Sequence, residues 1–219
     1  MARADRTGKR KRRESATRRV PDLGYYIVVT DAKETERNYL YGLRDSLPEN
    51  LKGRIVIKVS TAKTDELVEA CKSQASLEPQ YGEPWIVFDR DRVARFDEII
   101  QKARKEGIKT GWSNPCIEIW FDAYFGQMHG YQQSKQCWYR FAETYERRTG
   151  LEYSKADEHI YDVLNRYGDE KKAIDIAEKR LRTHFESGVR RPSEMVPATT
   201  LHRLVDEIKQ KTELQQGSE

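Results

Sequence analysis

The stretch Trp85-Ile86-Val87-Phe88-Asp89-Arg90-Asp91 decides the fold prediction, because a run of four apolar residues ends directly in two carboxylates. A short apolar run rich in aromatic and β-branched residues is typical of a strand that is buried on both faces. Two like charges this close repel each other, and each is costly to bury without a partner. Hard divalent cations favour carboxylate oxygens and would relieve that repulsion. Asp89 and Asp91 are therefore either an ordinary acidic turn or part of a metal site.

Further apolar runs lie on both sides of this stretch. Residues 25–30 (YYIVVT) and 55–59 (IVIKV) are strong strand candidates, and residues 108–112 are a weaker one. Apolar residues at helical spacing fill the intervals. They predict helices at 34–47, from about 67 to the turn-rich 79–84, from about 96 to Gly107, and from 115 to about 125. Strands alternating with helices of this length predict an α/β fold with a parallel sheet.

Acidic residues follow the predicted strands at one end. Right-handed crossovers place every strand-to-helix loop at the same edge of a parallel sheet. We therefore expect Asp31, which follows the first strand, to meet Asp89, Asp91 and residues 113–118 there. In open α/β sheets this is also the edge at which ligands bind.

The pattern changes beyond Gly126, where four helices and no strand are predicted, at 137–147, 154–165, 170–185 and 198–211. The domain prediction is a basic disordered tail at 1–22, an α/β core at 23–126, a helical region at 127–212 and a disordered tail at 213–219. Trp138, Tyr139 and Tyr145 have helical spacing and are predicted to be core residues rather than base-stacking platforms.

The amino-acid composition indicates whether the protein is soluble or membrane-bound. Of the 219 residues, 37% are hydrophobic and 35% are charged, and no apolar run approaches the roughly 20 residues needed to span a bilayer. The N-terminus has positive charge but no apolar segment behind it, so we expect a soluble, cytoplasmic protein without membrane contact. Cys71, Cys116 and Cys137 lack metal or disulfide spacing and are interpreted as small core residues.

The first 19 residues carry nine Lys and Arg against two acids, which leaves the rest of the chain net negative. The run Lys9, Arg10, Lys11, Arg12 and Arg13 has no apolar periodicity. One interpretation is contact with phosphates of a nucleic acid, which is independent of sequence and weakened by salt. The other is a solvated tail without a target.

Four segments resemble the RloB family, a branch of the Toprim-domain proteins. They are DAKETERNY at 31–39, VFDRD at 87–91, SNPCIEIW at 113–120 and PATTLHRLV at 197–205, and the resemblance extends from about Tyr25 to Ile208. It implies a Toprim-like, Rossmannoid parallel sheet flanked by helices, with an all-helical C-terminal extension. One difference is that the family's first motif usually reads Glu-Gly where this chain has Asp31-Ala32.

The resemblance implies phosphodiester chemistry with Mg²⁺ or Mn²⁺. By position, Asp31, Glu36, Asp89 and Asp91 would hold metal or act as a base. Glu36 has a second interpretation, since an acid in the first turns of a helix also favours the helix dipole.

Residues 113–118 and the arginines each have two interpretations. Pro115 favours the first position of a helix, Ser113 or Asn114 would cap it, and Glu118 could complete a capping box. Alternatively, Asn114 binds phosphate at that helix start and Glu118 joins the catalytic acids. Arg90 and Arg92 either pair with the neighbouring aspartates or hold a phosphate.

The leading functional prediction is a metal-dependent endonuclease acting on RNA, including tRNA, or on DNA. No glycine-rich phosphate loop or nucleophile elbow is present, which argues against nucleotide switches, dehydrogenases and α/β hydrolases. The family resemblance implies an antiphage defence effector with an ATPase partner, and a homo-oligomer is compatible with the sequence. The alternatives are a nucleic-acid-binding scaffold with a weakened site and a nucleotidyl or phosphoryl transferase.

Overall fold

A computed structural model describes residues 23–91 and 93–216. Within this part of the chain, one five-stranded sheet forms the centre of the fold. Its strands are β1 (Tyr26–Thr30), β2 (Ile55–Val59), β3 (Glu83–Asp89), β4 (Lys109–Asn114) and β5 (Ala198–Thr199). All of the strands predicted from the sequence are present, with bounds shifted by no more than two residues.

The strand order is β2-β1-β3-β4-β5, and the first four strands are parallel. The chain leaves β1 toward β2 on one side and returns to β3 on the other. The order therefore reverses between β1 and β3, and such a switch point opens a crevice at the carboxyl ends of the two strands.

Helices cover both faces of this sheet. They are α1 (Thr35–Asp45), α2 (Glu49–Lys52), α3 (Leu67–Leu77), α4 (Phe96–Lys105), α5 (Glu118–Tyr124), α6 (Ser134–Thr149), α7 (Ile160–Tyr167), α8 (Glu170–Glu186) and α9 (Leu201–Gln216). Short 3-10 turns lie at Thr64–Glu66 and Pro192–Glu194.

Alternation along the strands divides the core in two, because successive strand residues point to opposite faces. Tyr26 and Val28 face a cluster that includes apolar residues of α1 and α5–α9. Ile27 and Val29 face a second cluster, built mainly with α3 and α4. The α/β fold class with a helical C-terminal part is thus confirmed.

The C-terminal region differs from the prediction at its strand and at two helix bounds. Ala198 and Thr199 form β5, antiparallel to β4, where helix was predicted. α7 begins at Ile160 rather than at residue 154, so the preceding residues form a loop. α9 continues to Gln216, four residues into the predicted disordered tail. Among the described residues, no helix is long and apolar enough to cross a membrane.

Candidate functional site

An acidic cavity opens at the carboxyl ends of β1 and β3, which is the switch point of the sheet. Its volume is about 460 Å³. The lining residues come from the loops after β1 to β4, from the starts of α1, α5 and α6, and from the loop before α7: Asp31, Ala32, Thr35, Glu36, Thr64, Asp89, Asp91, Val93, Cys116, Ile117, Glu118, Ser134 and Lys155. The five acids predicted from the sequence therefore share one cavity.

Asp89 and Glu36 both line this cavity, close enough for each carboxylate to affect the pKa of the other. Asp89 Oδ2 accepts a hydrogen bond from the backbone N–H of Ile117 at 3.1 Å, while Oδ1 is buried without a partner. Burial raises the pKa of Asp89 well above its usual range, and the charges of Glu36 and Glu118 add to the effect. Burial likewise raises the pKa of Glu36 to about 7. Two such groups share a proton readily or attract a cation.

Glu118 is the third buried acid, with an exposed fraction of 1%. Its Oε1 accepts a hydrogen bond from the hydroxyl of Tyr153 at 3.2 Å and lies 3.6 Å from Lys155 Nζ. Its Oε2 is buried without a partner. Glu118 is the first residue of α5, but no side-chain cap is formed there. The cavity therefore favours the interpretation of Glu118 as a site residue over a capping box.

Asp31 approaches the cavity from the end of β1. Its Oδ2 accepts a hydrogen bond from Thr64 Oγ1. The following Ala32 donates its backbone N–H to Thr30 Oγ1 at 3.1 Å, in a backbone conformation without positive φ. The backbone thus does not require the glycine that the family usually has there.

The loop after β3 positions Asp91 and Arg90 differently. Asp91 Oδ1 accepts a hydrogen bond from Ser134 Oγ at 2.9 Å, which ties this loop to the first turn of α6. Arg90 donates from Nη1 to the carbonyl of Val93 at 2.6 Å, and its guanidinium lies over the ring of Phe96. Arg90 therefore stabilises the loop. It does not form an ion pair with either aspartate and does not line the cavity.

Asn114 does not line the cavity and does not cap a helix, because it belongs to β4. Its Nδ2 donates to the carbonyls of Pro192 and Ser193 at 3.0 and 3.2 Å. Ser113 Oγ bonds Thr199 Oγ1 across the β4–β5 pair. The predictions of a cap by either residue and of a helix start at Pro115 were wrong. The burial of Asn114 also argues against phosphate binding.

Lys155 and Tyr153 also belong to this site, although the sequence pattern predicts a helix over 154–165 and gives no signal for either residue. Both lie on the loop before α7, and Thr35 Oγ1 donates to the carbonyl of Lys155 at 3.3 Å. Burial alone would lower the pKa of the Lys155 ammonium, but Glu118 and the neighbouring acids raise it. The ammonium group of Lys155 therefore lies beside Glu118 and near Asp89 and Glu36. An isolated Lys in a polar loop carries no signal of this in the sequence.

The chemistry of these side chains fits a divalent cation, since two buried carboxylate oxygens lack partners and hard cations bind such oxygens. As they stand, however, no three His, Cys, Asp or Glu side chains in residues 23–91 and 93–216 are arranged to hold a metal ion. Binding a cation would thus require the carboxylates to turn further toward one another. Arg92 and the basic run Lys9–Arg13 lie outside the described residues.

The fold and the cavity define an α/β protein with an acidic centre at its sheet switch point. The model of the RloB-like protein family matches residues 26–208, so the chain belongs to this family. A search of curated proteins and a search of solved structures gave no match.

Proposed function

We propose that this protein is a phosphodiesterase of the Toprim type that uses Mg²⁺ or Mn²⁺ to cleave RNA or DNA. The observation that carries the proposal is the pair of buried, unpartnered carboxylate oxygens on Asp89 and Glu118. Leaving such groups unpaired costs free energy that a cation would recover. Buried acids that lack partners in this way are characteristic of functional sites rather than of stable cores.

Bound divalent cations would activate water and neutralise charge on a scissile phosphate. The residues proposed to hold them are Asp31, Glu36, Asp89 and Asp91, with Glu118 beside them. The raised pKa of Glu36 suits its carboxylate for accepting a proton from the attacking water near neutral pH. Lys155, half-exposed at the rim of the cavity, is suited to pair with a non-bridging phosphate oxygen.

The proposed substrate class follows the family resemblance and the charge of the chain. Nucleic acid, including tRNA, would meet the basic run Lys9–Arg13 as well as the cavity. The same resemblance suggests an antiphage defence effector in the cytoplasm that works with an ATPase.

A second candidate is a nucleic-acid-binding scaffold with a weakened site. It is favoured by the hydrogen bond that Thr64 makes to Asp31 and by the absence of a three-ligand metal arrangement among the described residues. The scaffold would bind the same nucleic acid without cleaving it, so activity separates the two candidates.

The test is cleavage of mixed tRNA and of DNA with Mg²⁺ or Mn²⁺, comparing the wild type with Asp89→Asn. The variant keeps the size of the side chain but removes its charge, and we expect activity to fall at least about a hundredfold. Asp175→Asn, on an exposed position of α8, is the control and should cleave like the wild type. Equal residual activity in the wild type and Asp89→Asn would leave the scaffold as the function. Extension of a primer with labelled nucleotides, without cleavage, would indicate a transferase instead.

A further inference from the structure

The exposed face of α6, the helix whose first residue lines the acidic cavity, carries an aromatic residue between basic ones. Tyr139 has an exposed fraction of 51%, whereas the buried residues of this helix are Cys137, Phe141 and Tyr145. The prediction that Tyr139 is a core residue was therefore wrong. Tyr145 is buried as predicted, and Trp138 is partly buried against the core.

The ring of Tyr139 is fixed by its neighbours rather than free in solvent. The rings of Trp138 and Tyr139 form a T-shaped pair, with ring centroids 4.6 Å apart. Lys135 Nζ lies over one face of the Tyr139 ring, 5.8 Å from its centroid, at cation–π distance. A ring held in this way loses little conformational entropy when a ligand stacks on it.

A shallow groove of about 430 Å³ surrounds this ring. It is lined by Gln133, Lys135, Gln136, Tyr139, Arg140 and Glu143. Glu143 pairs with Arg140 at 3.0 Å, whereas Lys135 contributes a positive charge beside the ring. The groove thus offers a stacking surface, positive charge and amide groups together, which suits a nucleobase attached to phosphate.

The position of α6 connects this groove to the acidic cavity. Ser134, the first residue of α6, donates a hydrogen bond to Asp91, and its carbonyl contacts the thiol of Cys116 in the cavity lining. Tyr139 lies five residues farther along the helix, a rise of roughly 7.5 Å and a rotation of roughly 140° about the helix axis. The groove and the cavity nevertheless adjoin at the start of α6, because Gln133 and Lys135 line the groove and Ser134 between them lines the cavity.

We infer that the α6 face formed by Lys135, Tyr139 and Arg140 binds an unpaired nucleotide of the same strand whose scissile phosphate enters the cavity, so the substrate is single-stranded or locally unpaired nucleic acid. This inference rests on the proposed phosphodiesterase function and specifies its substrate. A base that is paired in a duplex keeps its faces covered by its stacking neighbours, and it cannot stack on Tyr139 without leaving the helix. Every base has an aromatic face, so the interaction would tolerate many sequences.

The test is the binding of the full chain to fluorescently labelled single strands of DNA and of RNA and to duplexes of equal length, with EDTA present to prevent cleavage. We expect the wild type to prefer single strands. Tyr139→Ala should weaken single-strand binding roughly fivefold to a hundredfold, since stacking on one aromatic residue has about this effect. Tyr139→Phe should keep the affinity, because it retains the ring.

Tyr25→Ala is the matched control. Tyr25 is 44% exposed and has Arg54 over its ring at 5.4 Å, but it lies before β1, at the opposite edge of the sheet. Its removal should leave the affinity for single strands unchanged. Measuring DNA and RNA separately shows whether the groove accepts deoxyribose, ribose or both.

Equal binding of single strands and duplexes by the wild type, or unchanged single-strand binding by Tyr139→Ala, would overturn the inference. Because binding is measured without metal, the result does not depend on catalysis. If the protein cleaves nucleic acid but Tyr139→Ala binds single strands like the wild type, only this inference is overturned. If binding depends on Tyr139 but no cleavage occurs with metal, only the phosphodiesterase proposal is overturned.

Discussion

Asp89 is held through one oxygen by the backbone of Ile117, and its other oxygen has no partner. Glu36 lies beside it with a pKa raised to about 7. Without metal, the protein must either keep protons on these groups or bury their charges close together. The stability of the metal-free protein should therefore depend on pH through this cavity.

Replacing Glu36 by Gln should stabilise the metal-free protein at pH 8, by roughly 1–3 kcal/mol, with little effect at pH 5. Since the pKa of Glu36 is higher in the folded state than in the unfolded chain, its contribution to stability is complete below about 4.5 and is lost as the pH rises through 7. The measurement is urea unfolding in EDTA at both pH values. Glu34→Gln, exposed and in the preceding turn, is the control. If Glu36→Gln changed the free energy of unfolding equally at pH 5 and pH 8, the raised pKa of Glu36 in the folded state would be contradicted.

Among the secondary-structure elements, the strands could be predicted because they contain short runs rich in β-branched and aromatic residues. Asp31 and Asp89 were placed correctly, since a parallel sheet brings the carboxyl ends of its strands together. The pairing of β5 with β4 involves only two residues, Ala198 and Thr199, too few to leave a periodic pattern. The role of Glu118 was ambiguous in the sequence, because a capping box and a site residue use the same spacing. The missing side-chain cap at α5 and the position of Glu118 in the cavity favour a site residue.

α1, which carries Glu36, packs against α7, and Gly42 lies at this contact. A Cβ added to Gly42 would clash with Cβ of Tyr161 on α7. We expect Gly42→Ala to destabilise the protein by about 1–3 kcal/mol, as overpacking does. Urea unfolding is the measurement. Gly53→Ala is the control, because nothing lies within 4 Å of the added methyl group and φ is −65° there. If Gly42→Ala left the free energy of unfolding unchanged, α7 would not be packed tightly against α1 at this position.

At the scale of the whole molecule, the cavity is assembled from both parts of the chain. Asp31, Glu36 and Asp89 come from the α/β core, whereas Ser134 and Lys155 come from the region beyond residue 126. The C-terminal helices pack on the same sheet, since α9 contacts β4 and α8 contacts β5. The helical region thus completes the cavity and also carries the groove around Tyr139.

A crystal soaked in Mn²⁺ shows whether this cavity binds divalent cations. Anomalous diffraction locates Mn²⁺ without assuming any ligand, and Asp89→Asn crystals treated in the same way are the control. We expect one or more Mn²⁺ ions among Asp31, Glu36, Asp89 and Asp91 in the wild type and weaker or absent density in the variant. An empty cavity at millimolar Mn²⁺, with the carboxylates unmoved, would contradict the proposal that it binds divalent cations.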